Sequence, residues 1–370
     1  MSRKSDTRRI FANEAVKLLS MPAFYICVLL CIGFNIYMLW DSVGYKLEVI
    51  KADIAFFEND EGGFGAEYYY DYYGQSDFQT VCAYAKRERT YDSFASRLIA
   101  GNYARLLNRV KTMKPEEKNS ISFTGVHRLH IFFYGSYVKY LIIESMLLIM
   151  LAVSYAMHFE NYHHTGDITD VCKYKKVLVR MKLLAAAAFG LLLSLVLWLF
   201  SFLVYFSLIH YSGVWDSYIS SVYNADRRVI NDLYLYDYPY VTWKPMTQAD
   251  YLLATVGVVF LLLLFAVLLA AVCSLCFQND IEALMVIVGG AFLLYCLGNL
   301  MQPGNFLQFI LQLTPVHLIS KCGYWFMDYA PGDSYPAYEW LVAVVWILPL
   351  LFVVLRRMQC CPRFRLQRNR

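Results

Sequence analysis

The sequence predicts an all-α polytopic membrane protein with six transmembrane helices, on three observations. Six apolar runs, at 22–40, 135–157, 183–209, 250–275, 282–300 and 337–356, each approach the length of about 20 residues that crosses a bilayer core. Basic residues gather at the N-terminus, between the second and third runs, and at the C-terminus. The chain is 59% hydrophobic and only 17% charged, a bias that a bilayer explains better than a soluble core. Six spans put both termini and the central basic island on one side, and the positive-inside rule makes that side cytoplasmic. A multi-pass protein of the plasma (cytoplasmic) membrane is expected.

Residues 1–21 open with Arg3, Lys4, Arg8 and Arg9. Phe11, Ala15, Leu18 and Leu19 fall on one helical face, with Asn13, Glu14 and Lys17 directed away from it. The spacing predicts an amphipathic helix lying in the cytoplasmic membrane interface. Pro22 separates it from the first span, 22–40, which ends at an interfacial Trp40. That run is long and lacks a small-residue cleavage site, so it is expected to remain as a span.

Residues 41–134 are polar and of mixed charge and are expected to form a mainly helical extracytoplasmic domain. Leu98, Tyr103, Leu106, Leu107, Val110 and Met113 recur at helical spacing, and Gly62, Gly63 and Gly65 mark a turn. Tyr69, Tyr70 and Tyr72 lie in an aromatic cluster that offers contacts to a cargo, or else serves as packing or an interface belt. The second span carries Glu144. A carboxylate inside an apolar run is costly and faces a bundle interior or a water-filled cavity. It either lines a conduit or holds the bundle, or it pairs with Lys139 near the outer interface.

The island at 158–182 is short and rich in Lys and Arg. Ile168, Val171 and Cys172 share one face of a short helix that Thr165 or Asp167 can cap. It reads as a cytoplasmic loop on which a soluble partner can act. Residues 210–249 form an external loop with Trp215 and Trp243, and a tight turn at Gln278–Asp280 joins spans four and five. The segment 301–336 contains Pro303, Pro315, Pro331 and Pro336 around an apolar run at 306–319. That run is too short to span and too apolar for a solvated loop, which predicts a re-entrant segment. The last span is followed by a basic tail, 357–370.

No GxxxxGK[ST], HExxH or GxSxG pattern is present, so no catalytic residues and no nucleotide hydrolysis by this chain are expected. His158, His163 and His164 lie near Glu160 and Asp167, but their spacing matches no usual zinc pattern, and no metal is expected. Cys273 and Cys276 end an apolar run and read as packing. Cys82 and Cys322 alone fall in segments placed outside, allowing at most one external disulfide. No nucleic-acid partner is expected.

The basic amphipathic helix, the six spans, the loop elements Glu160, Thr165-Gly166, Lys175 and Lys182, and the broken Pro-containing segment together resemble the membrane (permease) subunit of the type-2 class of ATP-binding-cassette exporters, the ABC-2 type. Two departures are visible: His163 and His164 push Gly166 further from Glu160 than usual, and the proline often found before the basic residue is missing. The resemblance implies that residues 160–176 hold the coupling helix that docks on a separate ATPase subunit. Glu160, Thr165, Gly166, Asp167, Asp170, Lys175, Lys176 and Lys182 would then form the ATPase-coupling loop, and 303–320 the external re-entrant helices. It further implies two cytoplasmic ATPase subunits that bind ATP and Mg, a second permease copy or a related chain, and no cofactor in this chain. The spans, poor in polar residues, favour a hydrophobic or amphipathic cargo such as a peptide. The competing readings are a membrane receptor or scaffold with a ligand-binding external domain, and an interfacial membrane enzyme.

Overall fold

The computed structural model describes residues 3–59, 101, 105, 108–109, 112, 114, 130–163, 165, 175–209, 215–216, 218–220, 242–277, 279–300, 306–327 and 335–360. Among them the chain is helical, with no β-structure beyond two isolated bridges, Tyr218 to Thr247 and Thr242 to Met327. In order, the helices are α1 (Arg3–Leu19), α2 (Pro22–Asn59), a π-helical stretch (Ile131–Val138) that runs into α3 (Lys139–Tyr162), α4 (Lys175–Leu208), α5 (Gln248–Cys276), α6 (Asp280–Leu300), α7 (Phe306–Gln312), α8 (Pro315–Ser320), a 3-10 turn (Cys322–Tyr324) and α9 (Tyr338–Cys360). Six of them are long and apolar enough to cross a membrane: Pro22–Trp40, Ile131–Tyr162, Lys176–Leu208, Gln248–Cys276, Asp280–Leu300 and Tyr338–Met358. The chain is a multi-pass membrane protein.

Successive spans run antiparallel, so the bundle has two ends. One, the loop end, gathers α1, the turn after α3 and the turn between α5 and α6. The other, the cap end, gathers the π-helical stretch, α7, α8 and the start of α9. The core lies between α3 and α5, whose buried faces include Leu141, Ile149 and Val153 on one and Val258, Leu262 and Ala266 on the other. α4 packs along α3, and α9 along α5. α6 is peripheral and buries only Ala283 and Ile287. Apolar side chains cover the outside of the bundle, among them Leu203, Phe260, Phe292 and Phe352. A helical bundle in hydrocarbon satisfies its own backbone and leaves such a surface to lipid.

Small residues let α3 and α4 approach. A Cβ placed on Gly190 would stand 3.0 Å from the Ile149 Cα. Ser194 Oγ donates to Gly190 O at 2.8 Å, Trp198 Nε1 to Ser145 Oγ at 2.8 Å, and Tyr137 OH to Ser201 O at 2.9 Å. Close backbones with satisfied polar side chains are the usual cement between membrane helices.

Helix boundaries depart from the apolar runs at several points, among them the ends of α3, which runs on to Tyr162, and of α9, which runs on to Cys360. α2 continues past Trp40 to Asn59 as one helix, because residues 45–59 contain helix-forming Lys, Leu, Glu and Ala with no Pro or Gly to stop them. α4 starts at Lys175, so the basic stretch before residue 183 forms its first two turns. The π-helical stretch starts at Ile131, ahead of the expected start of the second span at 135. α1 departs in its buried face rather than its length. Glu14 is buried, with Leu18 on the same side and Phe11 and Lys17 half-buried, while Leu19 is exposed. The helix packs on α4 and the end of α3, so Glu14 and Lys17 meet partners in protein, while Arg8 and Arg9 stay exposed on the opposite side. The break before α2 falls at Ser20 and Met21, where Pro22 removes a donor and takes the first helical position.

The α3–α4 contact has a direct test. Gly190→Ala should lower stability in detergent by about 1–3 kcal/mol relative to Gly289→Ala, since overpacking carries a cost of that order and a Cβ at Gly289 meets nothing within 4 Å. Equal melting temperatures for the two variants would contradict the close approach.

Candidate functional site

The last turns of α3 bring together most of the polar chemistry at the loop end. Glu160 is buried, and both of its carboxylate oxygens are used. Lys182, two turns into α4 and also buried, donates to Oε2. Lys17 of α1 lies 3.5 Å from Oε1. Lys17 also donates to Glu14 Oε1 at 2.6 Å and sits over the Phe159 ring, 4.6 Å from its centroid. Two carboxylates and two ammonium groups thus form one neutral cluster joining α1, α3 and α4. Exposures of 4% for Glu14, 7% for Glu160 and 4% for Lys182 mean that water does little to compensate these charges, so each depends on the others.

The same stretch of α3 reaches two further helices. His158 Nδ1 lies 2.9 Å from Ser154 O and Nε2 3.1 Å from Phe277 O, which ends α5. Tyr162 OH donates to Asp280 at the start of α6. Beyond Tyr162 the chain turns, with the Thr165 N–H donating to Glu160 O at 2.9 Å. The base of the following loop is therefore fastened to the residue at the centre of the charge cluster.

Of the residues expected to form the coupling loop, Glu160 and Lys182 meet in the cluster and Thr165 closes the turn. Lys176 is exposed in the first turn of α4 and Lys175 opens that helix. Gly166, Asp167 and Asp170, with the helical face Ile168, Val171 and Cys172, lie outside the described residues. So do Tyr69, Tyr70, Tyr72 and Cys82. Among the described residues no three His, Cys, Asp or Glu side chains converge as a metal site would need. Glu144 is not paired with Lys139: Asn35 Nδ2 donates to its Oε2 at 2.7 Å, and Lys139 lies over the Tyr140 ring. Asn35 was missed by sequence reasoning, and Glu14 and Lys17 were placed on the outward face of α1. The spacing of Thr7, Phe11, Glu14 and Leu18 along one stripe of α1 carried the signal for Glu14.

The cap end is built from broken helices whose freed carbonyls are taken by side chains. Leu311 O accepts from Thr314 Oγ1 at 2.6 Å, Gln312 O from Tyr338 OH, and Leu313 O from Trp346 Nε1 at 2.7 Å. Leu318 O accepts from Trp325 Nε1 at 2.8 Å and Cys322 O from Tyr251 OH at 3.1 Å. Buried backbone must find partners, and Thr314, Trp325 and aromatic donors on α5 and α9 supply them. His130 bridges the same region, its Nδ1 3.1 Å from Gln248 Oε1 and its Nε2 3.2 Å from Gly323 O. Gly323 presses on Gly135, where an added Cβ would come within 2.9 Å of the Gly135 Cα. Phe326 adopts a left-handed backbone with φ 63°; its N–H donates to Glu339 Oε1 at 2.6 Å and its carbonyl accepts from Trp243 N at 3.0 Å. Cys322 is a buried free thiol, pushed up above its ordinary range by burial.

Comparison with protein-family models, with curated proteins and with solved structures returns no match to this chain.

One titration at the cap end follows. Burial, and secondarily the Lys321 charge, lowers His317 from 6.5 to about 4, and its Nε2 is buried without a partner among the described residues. The unfolded chain binds this proton first as pH falls, so stability from a neutral His317 is full above about 6.5 and is lost as pH drops towards 4. Thermal melts between pH 7 and pH 4 should show a fall in melting temperature that His317→Gln makes shallower. An identical pH profile in the variant would contradict the assignment.

Proposed function

We propose that this chain is the membrane-spanning permease subunit of an ATP-driven exporter of the ABC-2 type, with no enzymatic chemistry of its own. The loop end faces the cytoplasm in this reading. Arg8, Arg9, Lys176, Arg180, Arg356 and Arg357 lie there, and short loops and tails rich in Lys and Arg stay inside. A separate ATPase subunit, carrying ATP and Mg, docks on the 160–176 loop. The permease works as a pair, with a second copy or a related chain. The cap built from α7, α8 and the 3-10 turn corresponds to the re-entrant external element, and the cargo is hydrophobic or amphipathic.

The observation that carries this reading is the fastening of the loop to the bundle through Glu160. A soluble partner pushing on a floppy loop would move the loop alone. Here the loop's base is bonded to Glu160, and Glu160 is bonded to Lys182 of α4 and paired with Lys17 of α1, while His158 and Tyr162 reach α5 and α6. A displacement at the loop is passed to several helices together, as a bundle switching between two arrangements requires.

The test is co-purification of the full chain with candidate ATPase subunits, followed by vanadate-sensitive ATP hydrolysis and transport in vesicles. Lys176→Glu should weaken the complex by about tenfold, the effect of losing one well-placed charge contact. Glu160→Gln, measured on the fraction of protein that stays folded, should retain association with the ATPase while reducing cargo-stimulated hydrolysis, because it cuts the linkage behind the docking surface. Replacing Tyr69, Tyr70 and Tyr72 should not affect assembly. Failure of any ATPase subunit to associate with the intact chain would overturn the exporter reading in favour of a receptor or scaffold.

A further inference from the structure

Glu144 is a carboxylate near the middle of its span with no cation among the described residues. Its one hydrogen bond comes from a neutral amide, Asn35 Nδ2, at 2.7 Å. Lys139 is the basic residue nearest in sequence, and its ammonium is placed over the Tyr140 ring, 5.6 Å from the centroid. Asn35 is only 2% exposed, and its Oδ1 has no hydrogen-bond partner among the described residues. A buried amide oxygen without a donor and a carboxylate without a cation therefore stand side by side on α2 and α3. Each is costly in hydrocarbon; the amide oxygen lacks a donor and the carboxylate lacks a cation, and one ammonium group with several N–H donors would meet both.

The surroundings say how such a group would arrive. Phe34 of α2 and Tyr140 of α3 meet edge to face at 5.6 Å beside the pair. Phe34, Ile143 and Leu147 are exposed on the outer surface of the bundle, and Glu144 itself is half-buried. The site thus opens sideways between α2 and α3 onto an apolar surface. Aromatic rings next to a carboxylate suit a cation carried on an apolar body.

We infer that Glu144 and Asn35 form a lateral, intramembrane site for the protonated primary amine of a lipophilic molecule entering from the bilayer. The ammonium donates one N–H to Glu144. A half-turn of the Asn35 amide exchanges Nδ2 and Oδ1, so that Asn35 donates to the carboxylate when the site is empty and accepts a second ammonium N–H when it is filled. The apolar tail lies along Phe34, Ile143 and Leu147. That the bound molecule is cargo rests on the exporter reading; the site itself does not.

Binding of dodecylamine to the purified full chain in phosphatidylcholine nanodiscs, at neutral pH and without any ATPase, tests the proposal. Saturable binding is expected, weakened by at least about tenfold in Glu144→Gln, as loss of a charge-assisted contact implies, and partly retained in Glu144→Asp. Dodecyltrimethylammonium keeps the charge and tail but has no N–H, and should bind the wild-type chain several-fold more weakly. That comparison needs no variant, so it stands even where a substitution harms folding. Equal binding of the two amphiphiles, absence of saturable dodecylamine binding, or unchanged binding in Glu144→Gln would each overturn the site. A chain that binds the amine but recruits no ATPase keeps the site and loses the exporter reading; one that recruits the ATPase and ignores the amine does the reverse.

Discussion

Glu160 must have cations on both of its oxygens, and much of the loop end follows from that. A carboxylate with 7% of its surface exposed cannot rely on solvent, and removing a partner from a buried pair costs about 3–5 kcal/mol because a bare charge is left behind. Lys182 meets the requirement from α4, at the end of the basic stretch that opens that helix. Lys17 meets it from α1, and Glu14 in turn balances Lys17. α1 is consequently held to protein along a stripe that includes charged residues, and the loop after α3 starts from a fixed point.

The cap end obeys a different constraint. Short helices broken at Leu313–Thr314 and again after Ser320 free several carbonyls close to the apolar bundle. Donors from Tyr251, Trp325, Tyr338 and Trp346 take them. Aromatic side chains suit this work because they bring a single N–H or O–H on a large apolar body. One end of the molecule is therefore organised by charge compensation and the other by backbone satisfaction, with an apolar bundle between them that carries only scattered polar contacts.

The six spans were legible because an uninterrupted apolar run of bilayer length has few other uses, and the breaks at Pro22 and Pro315 were legible because proline cannot continue a helix from its N-terminal side. The reach of the helices beyond those runs was not. Polarity ends the hydropathy signal without ending the helix, as residues 41–59 of α2 and the opening turns of α4 demonstrate. Glu160 and Lys182 stood out as residue types, but their pairing depends on how α3 and α4 fold back, which no local pattern encodes. Glu14 and Lys17 were assigned to the wrong face because a helical wheel sends charge outward by default. Asn35 gave no signal, since one amide in an apolar run does not disturb its hydropathy.

The central claim is that Glu160 couples α3 to α4 as a compensated buried pair. A double-mutant cycle on Glu160→Gln and Lys182→Met, read by unfolding in detergent micelles, tests it most directly. Each single change should destabilise by about 3–5 kcal/mol, and the double variant should recover enough to give a coupling of at least about 1–2 kcal/mol. Additive losses, with no recovery in the double variant, would show that the two side chains do not depend on each other and would remove the basis for transmitting motion from the loop to the bundle.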